Sequence, residues 1–298
     1  MLFFKKKEDV SRIYQGLSSH EMKQLNKAGI QEWFAKGAPI FRKGQTGKEM
    51  FIIVDGCVRI LDDTVSPPRQ IAVLREGELF GELSLSTKET KRSNRAPSLQ
   101  RSASAIAETD TTMFVVEETA FGDLLEKHHG LASRLLMNLF YITSERLRES
   151  IRNKLIDEGV PLPKMLKGFK DEDKRRLLKF SDVKRYPQGQ SVFLEGQVGT
   201  ELYCVLVGTV EITKRQGAGM KRLAVMGEGD IFGELGLVTK KGRTASAVAL
   251  SDADLLAISE DGLQKLCKKS PDIATKLFLN LFRITTARMR SLIGPAII

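Results

Sequence analysis

The chain has 298 residues, enough for two average domains, and is 42% hydrophobic. Its three cysteines, Cys57, Cys204 and Cys267, lack metal or redox spacing, which excludes a disulfide scaffold and points to reduced thiols and a cytoplasmic protein. The net charge of +10 is spread over both halves rather than gathered into one stripe, so it reads as a solvated basic surface that favours anionic ligands, and direct nucleic-acid binding is not expected.

Met1-Leu2-Phe3-Phe4 is too short for a signal peptide and its lysines follow it, and no later run reaches membrane-spanning length. Helical spacing then opens at Glu21-Met22 and runs to Leu25, followed by a Gly/Pro turn. Short apolar runs at Ile40-Phe41, Met50–Val54 and Cys57–Leu61, separated by glycine turns, predict strands. Phe80-Gly81-Glu82-Leu83 interrupts the series with a short helical piece, and a polar, basic stretch from Lys88 to Gln100 follows. Strands resume at Ala105–Ala107 and Met113–Val116, and Leu135, Leu139 and Ile142 share one face of a helix expected from about Leu131 to Ile156.

The second half repeats the first. Gly16, Leu25, Gly44, Glu49, Gly56 and Glu82 fall on Gly168, Leu177, Gly196, Glu201, Gly208 and Glu234 at a shift of 152, while Arg101, Asp110, Leu124, Asn138 and Arg146 fall on Arg243, Asp252, Leu266, Asn280 and Arg288 at a shift of 142. The change of shift marks ten extra residues in the first copy, between Thr87 and Arg101. So long a period is a duplicated domain rather than a solenoid unit. The expected division is 1–156 and 157–298, the first carrying the insert. Helical spacing at Asp173–Leu177, strands at Ser191–Leu194, Leu202–Val207, Thr209–Thr213, Ala247–Leu250 and Leu255–Ile258, and a final helix from about Asp272 to Ile293 bearing Leu277, Leu281 and Ile284 repeat the plan. Closely spaced strands with flanking helices predict a mainly β architecture, two tandem jelly rolls.

The most informative recurrence is local. Phe80-Gly81-Glu82-Leu83 returns as Phe232-Gly233-Glu234-Leu235, and each copy is followed by an Arg and small residues, Arg101-Ser102-Ala103-Ser104-Ala105 and Arg243-Thr244-Ala245-Ser246-Ala247. A carboxylate beside a glycine, then an arginine with a hydroxyl, suits a phosphorylated ribose: the arginine and hydroxyl satisfy a singly charged cyclic phosphate without a metal, and the carboxylate accepts from a sugar hydroxyl. The bland alternative is a buried Glu234–Arg243 ion pair bridging the short helix to the next strand. In the first copy the Glu-to-Arg separation is 19 residues against 9 in the second, and Arg95 rivals Arg101, although only Arg101 is followed by the Ser-Ala-Ser-Ala pattern.

These residues resemble the cyclic nucleotide-binding domain family, whose phosphate-binding cassette reads Phe-Gly-Glu, an apolar residue, a short helix, then Arg, a small residue and Ala. The resemblance spans nearly the whole chain and includes the glycine turns Gly44 with Gly56 and Gly196 with Gly208. It implies that Glu82 and Glu234 take the ribose 2′-hydroxyl, that Arg101 and Arg243 take the phosphate, that Ser102 and Thr244 assist, and that backbone NH groups at Gly81-Glu82-Leu83 and Gly233-Glu234-Leu235 complete the site. The ligand would be cyclic AMP or cyclic GMP, with no further cofactor or metal; the hydroxyl after the arginine is compatible with either base.

No His-Glu-x-x-His, phosphate-loop or Gly-x-Ser-x-Gly signature is present, so catalysis is not expected. A helix-turn-helix module after Arg288 and a kinase-inhibitor segment before Gly16 are not expected either. The reading is a receptor that passes the signal to an effector protein through its closing helices, whose apolar faces could also pair copies into a homodimer. A nucleotide-free jelly-roll scaffold and a nucleic-acid-associated regulator are the alternatives.

Overall fold

A computed structural model describes residues 12–86, 100–151, 164–217, 219–239 and 242–293. The chain divides into two units, one running to Leu139 and the other from Phe140 to Leu292. The expected boundary between residues 156 and 157, and the insert, lie outside the described residues.

In the first unit α1 (Ser19–Lys27) is started by a capping box: the Glu21 amide donates to the Ser18 hydroxyl and the Ser18 amide donates to the Glu21 carboxylate. Eight strands follow: β1 (Gly29–Phe34), β2 (Pro39–Phe41), β3 (Glu49–Asp55), β4 (Cys57–Asp62), β5 (Arg69–Arg75), β6 (Leu79–Phe80), β7 (Ser104–Ala107) and β8 (Thr111–Glu117). They form two antiparallel sheets, in the orders β1-β8-β3-β6 and β2-β7-β4-β5. Side chains from both sheets share one core, with Phe51, Ile53, Phe80, Met113 and Val115 from the first against Phe41, Val58, Leu74 and Ala105 from the second. α2 (Glu118–Lys127) and α3 (His129–Ile151) close the copy, α3 passing into the second unit from Phe140 onward.

The second unit repeats this order. It runs α4 (Asp171–Leu178), β9 (Asp182–Tyr186), β10 (Ser191–Phe193), β11 (Glu201–Val207), β12 (Val210–Gln216), β13 (Gly219–Met226), β14 (Ile231–Phe232), α5 (Glu234–Thr239), β15 (Ser246–Ala249), β16 (Ala253–Ser259), α6 (Glu260–Lys269) and α7 (Pro271–Ile293). Its sheets, β14-β11-β16-β9 and β10-β15-β12-β13, enclose Phe193, Tyr203, Val205, Phe232 and Leu255. Even a helix anchor is duplicated. Asn138 donates to the carbonyls of Ile13 and Gln15 at 2.9 Å, and Asn280 to those of Met165 and Lys167 at 2.8 and 2.9 Å, so each long helix ties back to the turn that opens its copy.

Both units are thus jelly rolls of antiparallel strands flanked by helices, the architecture expected. The expected strands all form, within three residues at their ends. Three further pairs were not expected from the sequence: β1 with β9, β5 with β13, and the two-residue β6 with β14. The first four are largely exposed and mix charged with apolar residues, leaving Ile30, Trp33, Ile71 and Val183 at the surface, and the last two are too short to show a period. No helix among the described residues is long and apolar enough to cross a membrane.

Candidate functional site

Gly233 sits at φ 80°, a left-handed conformation that turns the chain out of β14 into α5, and a side chain there would stand 2.7 Å from Arg243 Nη1. Only glycine meets both demands. The turn lets Arg243 Nη1 donate to the carbonyls of Gly233 at 2.6 Å and Glu201 at 2.8 Å. The guanidinium lies over the Phe193 ring, 4.1 Å from its centroid, and close against Gly199, where any side chain would collide with it. Arg243 is 5% exposed, and its Nε is buried with no hydrogen-bond partner among the described residues. Burial lowers its pKa, against the opposing pull of Tyr203, Glu234 and Glu201. A buried cation with an unused donor is the group to which an anion would be bound.

The sequence-expected residues of the second copy converge on one cleft. Phe232, Gly233, Glu234, Leu235, Arg243, Thr244 and Ala245 all line it, with Ile212 and Lys214 from β12, Ala224 and Met226 from β13, and Leu147 and Arg288 from α3 and α7. Glu234 does not pair with Arg243. Its carboxylate accepts from Arg288 Nη1, and Arg288 Nη2 donates to the Ile231 carbonyl at 2.6 Å, all in a buried setting. The closing helix therefore holds the cassette carboxylate directly.

In the first copy Arg101 takes the corresponding place despite the longer separation. Its Nη1 donates to the carbonyls of Glu49 at 2.8 Å and Gly81 at 3.3 Å, and its guanidinium stacks on Phe41 at 4.3 Å. Gly81 repeats the left-handed turn, at φ 77°. Glu82 and Ala103 are buried and Ser102 half-buried, like Glu234, Ala245 and Thr244 in the second copy, whereas Leu83 is half-buried where Leu235 is buried. Arg95 lies outside the described residues. Arg101 also donates from Nη2 to the Glu49 carboxylate at 2.7 Å, a contact without counterpart at Arg243. Among the described residues no cluster of His, Cys, Asp or Glu could hold a metal ion.

The sequence reading missed Arg288, Lys184, Tyr203 and the stacking partner Phe193. Arg146/Arg288 and Glu49/Glu201 did stand out as duplicated pairs, which is the signal that could have flagged them. Lys184 and Tyr203 carry no such mark because the first copy has Glu32 and Phe51 there. In the second copy Lys184 donates to both Glu201 carboxylate oxygens at 2.8 Å, and the Tyr203 hydroxyl donates at 2.8 Å. Burial works against ionisation of Glu201, but these donors outweigh it and hold its carboxyl below the usual range.

A family model described as the cyclic nucleotide-binding domain matches residues 31–128 and 183–270. With more than half of the chain matched in two copies, the protein belongs to the cyclic nucleotide-binding domain family. Among curated proteins it is 35% identical over 127 residues to the cyclic AMP receptor protein of Thermus thermophilus, covering 42% of this chain and 57% of that one. It is 26% identical over 234 residues to the cAMP-dependent protein kinase regulatory subunit of Eremothecium gossypii, covering 78% of this chain and 43% of that one. The chain thus spans about half the length of these relatives. Among solved structures, the regulatory domain of Toxoplasma gondii PKA with cAMP is 17% identical, with 91% of this chain and 96% of that one covered at a TM-score of 0.31.

Proposed function

We propose that this chain is a cytosolic cyclic nucleotide receptor without catalytic activity, built as two binding domains over 1–156 and 157–298, that takes cyclic AMP or cyclic GMP and passes the signal to an effector protein. The observation that carries the reading is Arg243: a cation buried in a cleft, stacked on Phe193, with Nε unused. In this reading Arg243 and Thr244 hold the phosphate, Glu234 accepts from the ribose 2′-hydroxyl, Gly233 and Leu235 bring backbone amides close, and Phe232 and Ala245 form the walls. Gly81, Glu82, Leu83, Arg101, Ser102 and Ala103 do the same in the first copy. The relatives' names support the ligand class, two of them being a cyclic AMP receptor and a cAMP-dependent kinase regulatory subunit.

Transmission runs through Arg288. A ligand hydroxyl arriving at Glu234 changes the balance of the Glu234–Arg288 pair and so biases α7, the helix that carries Arg288. Leu277, Leu281 and Ile284, expected to offer a pairing face, are buried within this chain, so an effector or a second copy would engage them only if α7 moved. Calorimetric titration of the purified protein with cyclic AMP, cyclic GMP and a cyclic dinucleotide tests the reading: saturable binding of a cyclic mononucleotide is expected, and no heat with either one refutes it. An unchanged melting temperature with both would favour a nucleotide-free scaffold instead.

A further inference from the structure

The two pockets differ in one electrostatic detail that changes what a phosphate must displace. Glu32 on β1 stands opposite Met113, and Lys184 on β9 stands opposite Leu255, so strand register makes them the same position in the two copies. By the same test Glu49 opposite Glu117 matches Glu201 opposite Ser259. At this shared site the first copy has a glutamate and the second a lysine, and beside it Phe51 stands where the second copy has Tyr203.

The consequence is visible at the arginines. In the second copy Lys184 and the Tyr203 hydroxyl occupy the Glu201 carboxylate, and Arg243 makes no ion pair with it. The first copy has neither donor, and the Glu49 carboxylate turns to Arg101 Nη2 at 2.7 Å instead. A phosphate entering the first pocket meets a cation already engaged by a carboxylate; in the second it meets one whose competitor has been drawn aside.

We propose that Glu49 is an internal competitor for the ligand phosphate, and that the Lys184–Tyr203 pair sets the second pocket's higher affinity by sequestering Glu201. The inference rests on the receptor reading above and adds the residues that grade its two sites. If the Arg101–Glu49 contact is open only about a tenth of the time, apparent affinity falls about tenfold.

The test uses the full chain with one site silenced. In an Arg243→Ala background, Glu49→Gln is expected to tighten cyclic AMP and cyclic GMP binding at the first site about tenfold, and Glu32→Lys with Phe51→Tyr is expected to do the same while keeping the carboxylate. In an Arg101→Ala background, Lys184→Gln with Tyr203→Phe is expected to weaken the second site to a similar degree, and Glu201→Gln added to that pair to restore it. First-site affinity that is unchanged or lower in Glu49→Gln overturns the competitor role. A second site indifferent to losing Lys184 and Tyr203 overturns the sequestering role. The absence of any cyclic nucleotide binding by the parent protein removes the receptor reading itself, an outcome the variants cannot mimic.

Discussion

Replacing Arg243 with alanine separates binding from folding, because the side chain serves both through different atoms. Nη1 is spent on the carbonyls of Glu201 and Gly233, while the Nε side is unengaged. With ligand bound, the variant would leave a desolvated phosphate without its cation, and removing one partner of a buried charge pair costs roughly 3 to 5 kcal/mol, or about 150-fold to several thousand-fold in affinity. The full range applies because the arginine is 5% exposed and solvent screens it little. Without ligand, two carbonyls lose a charged donor, at roughly 1 to 3 kcal/mol for a buried group left unsatisfied, offset by removal of a cation that burial already disfavours. The melting temperature should therefore fall by only a few degrees. Arg243→Lys keeps the charge but not the flat fork that stacks on Phe193, and should recover only part of the affinity. Calorimetry in an Arg101→Ala background, with circular dichroism as the folding control, reads the effect on the second site alone. A folded Arg243→Ala protein that binds within about threefold of its parent would refute the assignment, since a loss below 1 kcal/mol is not that of a buried counter-ion.

Deleting Glu89 to Ser98 brings the Glu82-to-Arg101 spacing to that of the second copy, and first-site affinity measured with Arg243→Ala present should rise or hold; a folded deletion variant whose first site no longer binds would make the insert part of the pocket. Arg288→Met strands the buried Glu234 carboxylate and should cost about 3 to 5 kcal/mol by chemical denaturation, with Glu234→Gln added to it recovering much of the loss. Hydrogen exchange with saturating nucleotide should alter protection in α3 and α7; changes confined to the two cassettes would mean binding without transmission. Glu201 has a lowered pKa in the folded state, so its ionised form adds stability above the usual carboxylate range, and that increment is lost as pH falls through the lowered value. Glu201→Gln should flatten this part of an acid denaturation curve, and an unchanged acid limb would contradict the ion pair with Lys184.

The parts of this fold that were legible in the sequence are those where burial is one-sided and repeated. Met50–Val54 and Leu202–Val207 run through the cores and carry the apolar side chains that core strands need, and the face of Leu277, Leu281 and Ile284 is fully buried in α7. β1 and β9 were not legible: Glu32 and Lys184 are half-exposed, and strands paired on one side alone need no continuous apolar run. The cassette could be read because Gly233 and Arg243 are fixed by backbone geometry that any working copy must reproduce. Arg288 could not be assigned in advance, since its 54-residue separation from Glu234 is closed only by the packing of α7. The Glu49 and Glu201 side chains share a position and a strand, yet their partners diverge through neighbours that differ between the copies, and comparison of one copy with the other hides such neighbours as simple mismatches.

The charge reversal at Glu32 and Lys184 has an evolutionary reading. In the genetic code, glutamate and lysine codons differ by a single base, and so do those of phenylalanine and tyrosine, the other difference beside this carboxylate. After a duplication produced two identical cassettes, two point substitutions would suffice to give their arginines different neighbours, with no change to the strands, the glycine turn or the cassette itself. The same steps run backward as easily. If the proposed competition at Glu49 holds, a lineage could exchange which half of the chain responds at low ligand concentration, and the position most informative about that history is a half-exposed residue on an edge strand.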